Sequence, residues 1–471
     1  MSPKKIRKST RKAIIGGAVF LILTIIAIVG VFQLKQVRQF FSQASGTTAN
    51  LYVDTQSVLG TMPRPWRNLA QGGEDHNWRI EPISAKVKAI NPEYIRLDHI
   101  YDFYEIVKGG PGNVQFDFSK FDLVLKDITA TGAKPYIALS YMPPAISSGD
   151  ILAKPTRWED WQLVVQKTIE HVSGQLGITD VYYEVWNEPD LFGDWKYYGS
   201  KNYLDLYTYA ARGAAKAKNV RAFKLGGPAI TALYKNWFDA LSKHVIANKL
   251  QFDFFSWHRY SQNLDVYPED MANVRNWVSA FPQLEPTLEF HITEWGHDSN
   301  NHPGYDTQLS AAHTVAGSAT MLNLVQRAFV FEIQDGKDPK GQKNWGRWGM
   351  ITHSDAGAQT EPRYQALKML ERLSSQRLPI QGQGTWVKGL AAKNTVNNST
   401  QVLLANYDAA GRHSEQVPLT FTDITAGTFN LRLETLSGRV TQSEVATTGA
   451  ELRVIIPMTP NEVIWVELTQ K

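Results

Sequence analysis

The chain has 471 residues and no cysteine, with 49 Lys and Arg against 45 Asp and Glu, and 14 tryptophans. That length suits one large domain plus a smaller one, and the aromatic content belongs to a packed chain rather than a disordered one. Without thiols, disulfide frameworks, cysteine-ligated zinc, iron–sulfur clusters and thiol catalysis drop out, leaving histidine, carboxylate, hydroxyl and lysine chemistry.

The first charges are all positive: Lys4, Lys5, Arg7, Lys8, Arg11 and Lys12. They exceed the net charge of +4, so the remainder stands at −2 and gives no electrostatic ground for nucleic-acid binding. From Ala13 to Phe32 no residue is charged, and about 20 residues of helix span a bilayer core. A cleaved signal peptide has a shorter apolar run with small residues close behind; here Gln33 to Phe41 intervene. The expectation is a basic cytoplasmic tail over residues 1–12, a retained transmembrane helix over 13–32 in contact with the lipid bilayer, and a polar linker over 33–50. By the positive-inside rule the rest lies outside the cytoplasm, as in a single-pass protein of the cell membrane.

Short apolar runs then alternate with stretches of helical periodicity, the pattern of repeated βα units. Expected strands are Trp66 to Ala70, Tyr94 to Leu97, Lys134 to Ser140, Val181 to Trp186, Phe223 to Gly227, Phe252 to His258, Leu288 to Thr293 and Ala328 to Ile333. Helices are expected between them, among them Trp158 to Ser173, Tyr203 to Lys216, Trp237 to Ala247, Ala311 to Gln326 and Tyr364 to Ser374. Eight such units predict a closed (β/α)₈ TIM barrel over residues 51–378. No glycine fingerprint, Walker loop or His-Glu-x-x-His motif points elsewhere. Over residues 379–471 the helical period gives way to alternating runs such as Gln401 to Ala405, Phe429 to Glu434 and Val463 to Leu468. These predict a small antiparallel β-sandwich, to which Leu51 to Val58 adds a strand.

In such a barrel, chemistry sits at the C-terminal ends of the strands. Two carboxylates fall there: Glu188 in Trp186-Asn187-Glu188-Pro189 after strand four, and Glu294 in Ile292-Thr293-Glu294-Trp295-Gly296 after strand seven. A facing pair is what glycoside cleavage needs, one acid for the leaving oxygen and one carboxylate for the anomeric carbon. Pro189 is expected to stop the strand right after Glu188. Glu184, on the same face and roughly 13 Å deeper, is expected in a buried ion pair. The parity of His291 predicts that it points toward the helices. Trp158 and Trp161 read as packing. Trp195, with Tyr197 and Tyr198 in the loop after Glu188, and Trp295 beside Glu294 are candidates for sugar contact. Asp98, Asp102 and Glu105 read equally as sugar ligands or solvated charges.

Asn187-Glu188-Pro189 and Thr293-Glu294-Trp295 resemble the paired signatures of the clan of retaining (β/α)₈ glycosidases. The chain is most similar there to glycoside hydrolase family 39, the xylosidase, iduronidase and bacterial exopolysaccharide hydrolase family. The resemblance, strengthened by Leu225-Gly226-Gly227-Pro228 and by Phe331 to Gly336, covers roughly residues 50 to 378. It implies that Glu188 is the acid/base and Glu294 the nucleophile. It further implies that Asn187 and Arg96 contact the sugar and nucleophile, with His258 and Tyr260 as the strand-six pair. Many clan members carry a tryptophan platform on strand eight; this chain has none, and Trp345 or Trp348 stands in the loop after it. The expected function is a membrane-anchored retaining hydrolase of an extracellular or envelope polysaccharide or oligosaccharide, with no metal or organic cofactor implied. A non-catalytic polysaccharide-binding barrel and an envelope scaffold remain open, as does the oligomeric state.

Overall fold

Eight strands close into a parallel barrel in chain order: β1 (Asn68–Gln71), β2 (Tyr94–Leu97), β3 (Lys134–Leu139), β4 (Val181–Val185), β5 (Phe223–Ile230), β6 (Phe254–Tyr260), β7 (Glu289–Gly296) and β8 (Arg327–Phe331). The computed structural model describes residues 46–73, 75–76, 78–337 and 346–471. All eight expected strands are present. Their near-continuous burial follows from having helices outside and packed side chains inside.

Inward residues fill the barrel in layers. At the bottom Tyr94, Tyr136, Tyr182, Phe254 and Phe329 form one apolar cluster. Two residues further along β2 and β4, Arg96 and Glu184 meet in the interior. Asp98, Glu188, His258 and Glu294 stand at or above the strand ends.

His291 corrects one expectation. It points inward, its ring 4.8 Å from that of Phe254 and 5.2 Å from that of Tyr182. The cause is an irregularity in β7: Trp257 pairs with Ile292 but His258 pairs with Glu294, leaving Thr293 as an extra residue. One inserted residue reverses facing, so His291 and Glu294 both look into the barrel despite their odd separation. His291 Nε2 donates to Glu289 at 3.0 Å, and Nδ1 accepts from the Tyr136 hydroxyl at 3.2 Å.

Burial pushes the His291 imidazole down to about 4. The folded state thus holds it neutral, while the unfolded chain takes up a proton near pH 6.5. Its contribution to stability is complete above that pH and is lost as pH falls toward 4. Denaturant unfolding at pH 7 and pH 4.5 is expected to show a smaller acid loss in His291→Gln than in the parent, the difference being on the order of 2 kcal/mol; equal losses would exclude this histidine as the cause.

Beyond the barrel, two sheets enclose an apolar core that includes Leu51, Val402, Leu404, Leu419 and Ile464. One has seven strands and the other four. The arrangement is not wholly antiparallel: Leu51–Asp54 pairs parallel with Glu415–Thr422. Residues of the strand Ser399–Asn406 are buried on both faces. Val402 and Leu404 face the second sheet, whereas Leu403 and Ala405 join the barrel's core. Helix Gln308–Met321 lies between that sheet and β7. Covered on both sides, it buries residues all round, most of them small, and lacks a clear period, and it ends five residues before the expected boundary.

The expected tail and membrane span fall outside the described residues, and among the described residues no helix is long and apolar enough to cross a membrane. The last five residues of the expected linker, 46–50, are pinned to the sheets. Thr385 N donates to Thr47 O at 2.9 Å, and Ala49 N donates to the Glu415 carboxylate at 2.5 Å.

Candidate active site

β4 ends at Val185, three residues before Glu188, so Pro189 is not what stops it. Instead Trp186 (φ 77°) and Glu188 (φ 46°) adopt left-handed backbone, which costs roughly 1–2 kcal/mol per residue. The surroundings hold this turn. The fully buried Trp186 ring lies 5.1 Å from that of Tyr141 and 5.4 Å from that of Trp195. The Glu188 amide donates to Ala229 O on β5 at 2.9 Å.

Glu188 and Glu294 come together. One oxygen from each and a ring nitrogen of His258 all lie within 4.8 Å of one another. Arg96 sits beneath them, fully buried, with three nitrogens occupied: Nε donates to Glu184 at 2.7 Å, Nη1 to Glu294 at 2.9 Å and Nη2 to the Asn187 carbonyl oxygen at 2.7 Å. One guanidinium therefore bridges Glu184 and Glu294. The expected ion pair of Glu184 exists, and through Arg96 it couples this residue to Glu294. Tyr260 donates its hydroxyl to Glu294 at 2.8 Å, and His258 Nδ1 donates to Glu188 at 2.8 Å. Asn187 is fixed from both ends, its amide donating to the Tyr141 hydroxyl at 2.9 Å.

The electrostatics follow from this enclosure. Burial pushes the Glu294 carboxyl up; His258 and Arg96 oppose that, while the charge of Glu188 reinforces it. Burial also opposes charge on His258, but Glu294 and Glu188 outweigh it and hold the imidazole above the usual histidine value. Desolvation and the neighbouring Glu294 keep the Tyr260 hydroxyl far above its ordinary range, so it remains a donor. Glu188, His258 and Glu294 could offer three ligand atoms to a cation. Arg96 already compensates the Glu294 charge, which disfavours a second positive centre there.

The carboxylates open into a cavity of about 690 Å³, of a size for a small organic ligand. Asn187, Glu188, Tyr260 and Glu294 line it, and Arg96 and His258 support it from below. Two expected sugar contacts are not brought here. Trp195 is fully buried, its ring against Trp186 with Lys201 over it. Trp295 is fully buried on the outward face of β7, packed on Tyr267 and His313. Tyr197 packs on Trp237, while Trp161 is core as expected. Of the three acids after β2, Asp98 lines the cavity, Asp102 pairs with His99 at 2.8 Å, and Glu105 pairs with Lys120 at the surface.

Sequence reasoning passed over Tyr141, Leu191, Phe192 and Asn300, all of which line the cavity. Tyr141 stands just past the end of β3, so a scan of residues following each strand would have found it. Trp348 and Phe331 supply an aromatic wall beside β8, their rings 6.0 Å apart. Trp345 lies outside the described residues.

The sequence pattern of Glycosyl hydrolases family 39 matches residues 34–425. The chain is 27% identical to a beta-xylosidase of Caldicellulosiruptor saccharolyticus over 316 residues, 61% of this chain and 64% of that protein. It is 28% identical to a beta-xylosidase of Geobacillus stearothermophilus over 267 residues, 50% of this chain and 53% of that one. The matches thus span less than two thirds of either relative. Among solved structures, a monomeric beta-xylosidase from Caulobacter crescentus CB15 superposes with a TM-score of 0.73 at 21% identity, covering 90% of this chain and all of that one. That likeness concerns the fold.

Proposed function

The chain belongs to Glycosyl hydrolases family 39, and from that premise we propose that it is a retaining glycoside hydrolase working through Glu188 and Glu294. One observation carries the reading: two carboxylates from opposite parts of the barrel place oxygens within 4.8 Å over one cavity. Retaining enzymes need carboxyl groups about 5–5.5 Å apart, whereas inverting ones need about 6.5–9.5 Å to admit a water between them.

In the proposed cycle Glu294 attacks the anomeric carbon, and Glu188 gives its proton to the departing oxygen. The Arg96 and Tyr260 donors hold the attacking carboxylate in one orientation. Asn187, clamped between Arg96 and Tyr141, is placed to contact the sugar beside the reacting carbon. A glycosyl ester on Glu294 results. Glu188 then takes a proton from water, and the water releases the sugar with its anomeric configuration kept.

The substrate proposed is a polysaccharide or oligosaccharide, with xylosides the first to try given the relatives' names. We also propose that residues 13–32 anchor the protein in the cell membrane with the barrel outside the cytoplasm. The supports are the uncharged run and the basic residues before it.

Incubation with an activated 2-deoxy-2-fluoro aryl xyloside, followed by peptide mass mapping, is expected to find the fluoro-sugar ester on Glu294. Modification at another residue, or release of an inverted sugar from an ordinary aryl xyloside, would overturn the assignment. Saturable glycan binding without any hydrolysis would favour the non-catalytic barrel.

A further inference from the structure

Asp98 stands one residue beyond β2 with the inward parity of Arg96. It lines the cavity at only 7% exposure, yet its Oδ1 atom has no hydrogen-bond partner among the described residues. A buried carboxylate oxygen without a donor is costly, and the carboxyl group that carries it lines the space where the ligand's hydroxyl groups would arrive. Burial accordingly pushes its carboxyl up, with His99 and Arg96 opposing.

Position says which part of the ligand that is. Glu188 delivers its proton to the leaving oxygen, so the leaving group lies toward the wall of β4 and β5, formed by Leu191, Phe192 and Thr231. The sugar ring attached to Glu294 then occupies the opposite wall, where Gly72, Gly73, Phe331, Trp348 and Asp98 stand. Charge says what kind of ring. Asp98, Glu188 and Glu294 all face the cavity, while the positive groups nearby already have acidic partners: Arg96 in Glu184 and Glu294, Arg259 in Asp270, and His258 in Glu188 and Glu294.

We propose that Asp98 is a specificity-determining residue that accepts hydroxyl groups of a neutral ring bound next to Glu294 and rejects a uronate there. The inference rests on the glycosidase reading for its placement of the ring. A carboxylate on the ring would meet Asp98 at low dielectric, and Arg259, the guanidinium among the described lining residues, is already taken by Asp270.

The full chain and Asp98→Asn are compared on p-nitrophenyl β-D-xyloside, β-D-glucoside and β-D-glucuronide, the last two differing in the group at carbon five. The parent is expected to favour its best neutral substrate over the glucuronide by roughly 100-fold or more in kcat/KM. Asp98→Asn should lower kcat/KM on that neutral substrate by roughly 10- to 100-fold and narrow the preference by about tenfold, since charged hydrogen bonds are the stronger ones. Its melting temperature should be unchanged or higher, because the cost of desolvating a buried carboxylate is removed. A parent that prefers the glucuronide, or an Asp98→Asn within twofold of it on the neutral substrate, overturns the proposal. If no glycoside is cleaved, the glycosidase reading fails by itself. Saturation-transfer NMR with free D-xylose and D-glucuronate then decides Asp98: selective xylose binding lost in Asp98→Asn supports it, and unchanged binding refutes it.

Discussion

Glu294→Ala is expected to lower turnover of a dinitrophenyl xyloside by roughly 10⁴-fold or more, the scale at which a positioned intramolecular nucleophile accelerates a reaction, with melting close to that of the parent. The fold should tolerate the change because Arg96 keeps Glu184 as a partner at 2.7 Å. Glu188→Gln is expected to behave differently. A dinitrophenyl leaving group departs without a proton, so the first step survives and the ester accumulates, seen as a burst followed by turnover slower by roughly 10²- to 10⁴-fold. Added azide separates the roles. In Glu294→Ala it enters the vacated space and gives a glycosyl azide of inverted configuration; in a Glu188→Ala variant it attacks the ester and gives the retained azide. Undiminished activity in Glu294→Ala removes the double displacement altogether.

Arg96→Met is expected to lower the free energy of unfolding by about 3–5 kcal/mol, the usual consequence of stripping one partner from a buried ion pair. Arg96 and Glu184 are both fully buried, and Glu294 is nearly so. Burial alone works against the guanidinium charge, but the two carboxylates outweigh it and keep the group charged. Removing it leaves Glu184 enclosed without a counter-charge and Glu294 with His258 alone. Guanidinium denaturation measures the loss, and adding Glu184→Leu should recover part of it by removing the stranded acid. A single variant as stable as the parent would mean that the carboxylates are neutral in the fold, and would undercut an ionised Glu294 as well.

What was legible in the sequence divides by physical cause. Parallel strands buried on both faces read as apolar runs whatever their partners, so all eight were found, and the two acids that follow β4 and lie near the end of β7 stood out by position. Facing was harder. Thr293 adds one residue to β7, and nothing in Ile292-Thr293-Glu294 announces it, so alternation assigned His291 to the wrong side. Aromatic residues were harder still, since a tryptophan packed in a wall and one lining a cavity have the same composition signature. Trp195 and Trp295 belong to the first kind and Trp348 to the second. For Trp295 the difference is the face of β7 it takes; for Trp195 and Trp348 it lies in the path of the loops, which depends on turns such as the left-handed pair at Trp186 and Glu188.

The strand Leu51–Asp54 is made before any part of the barrel, yet its parallel partner Glu415–Thr422 comes after all of it; Ala49 and Glu415, joined by a hydrogen bond, are 366 residues apart. During synthesis on the ribosome this early segment therefore has no mate while eight βα units emerge. Its unpaired edge is available to other nascent chains or to a chaperone throughout that interval. This sheet is completed only when the last hundred residues return to collect the strand.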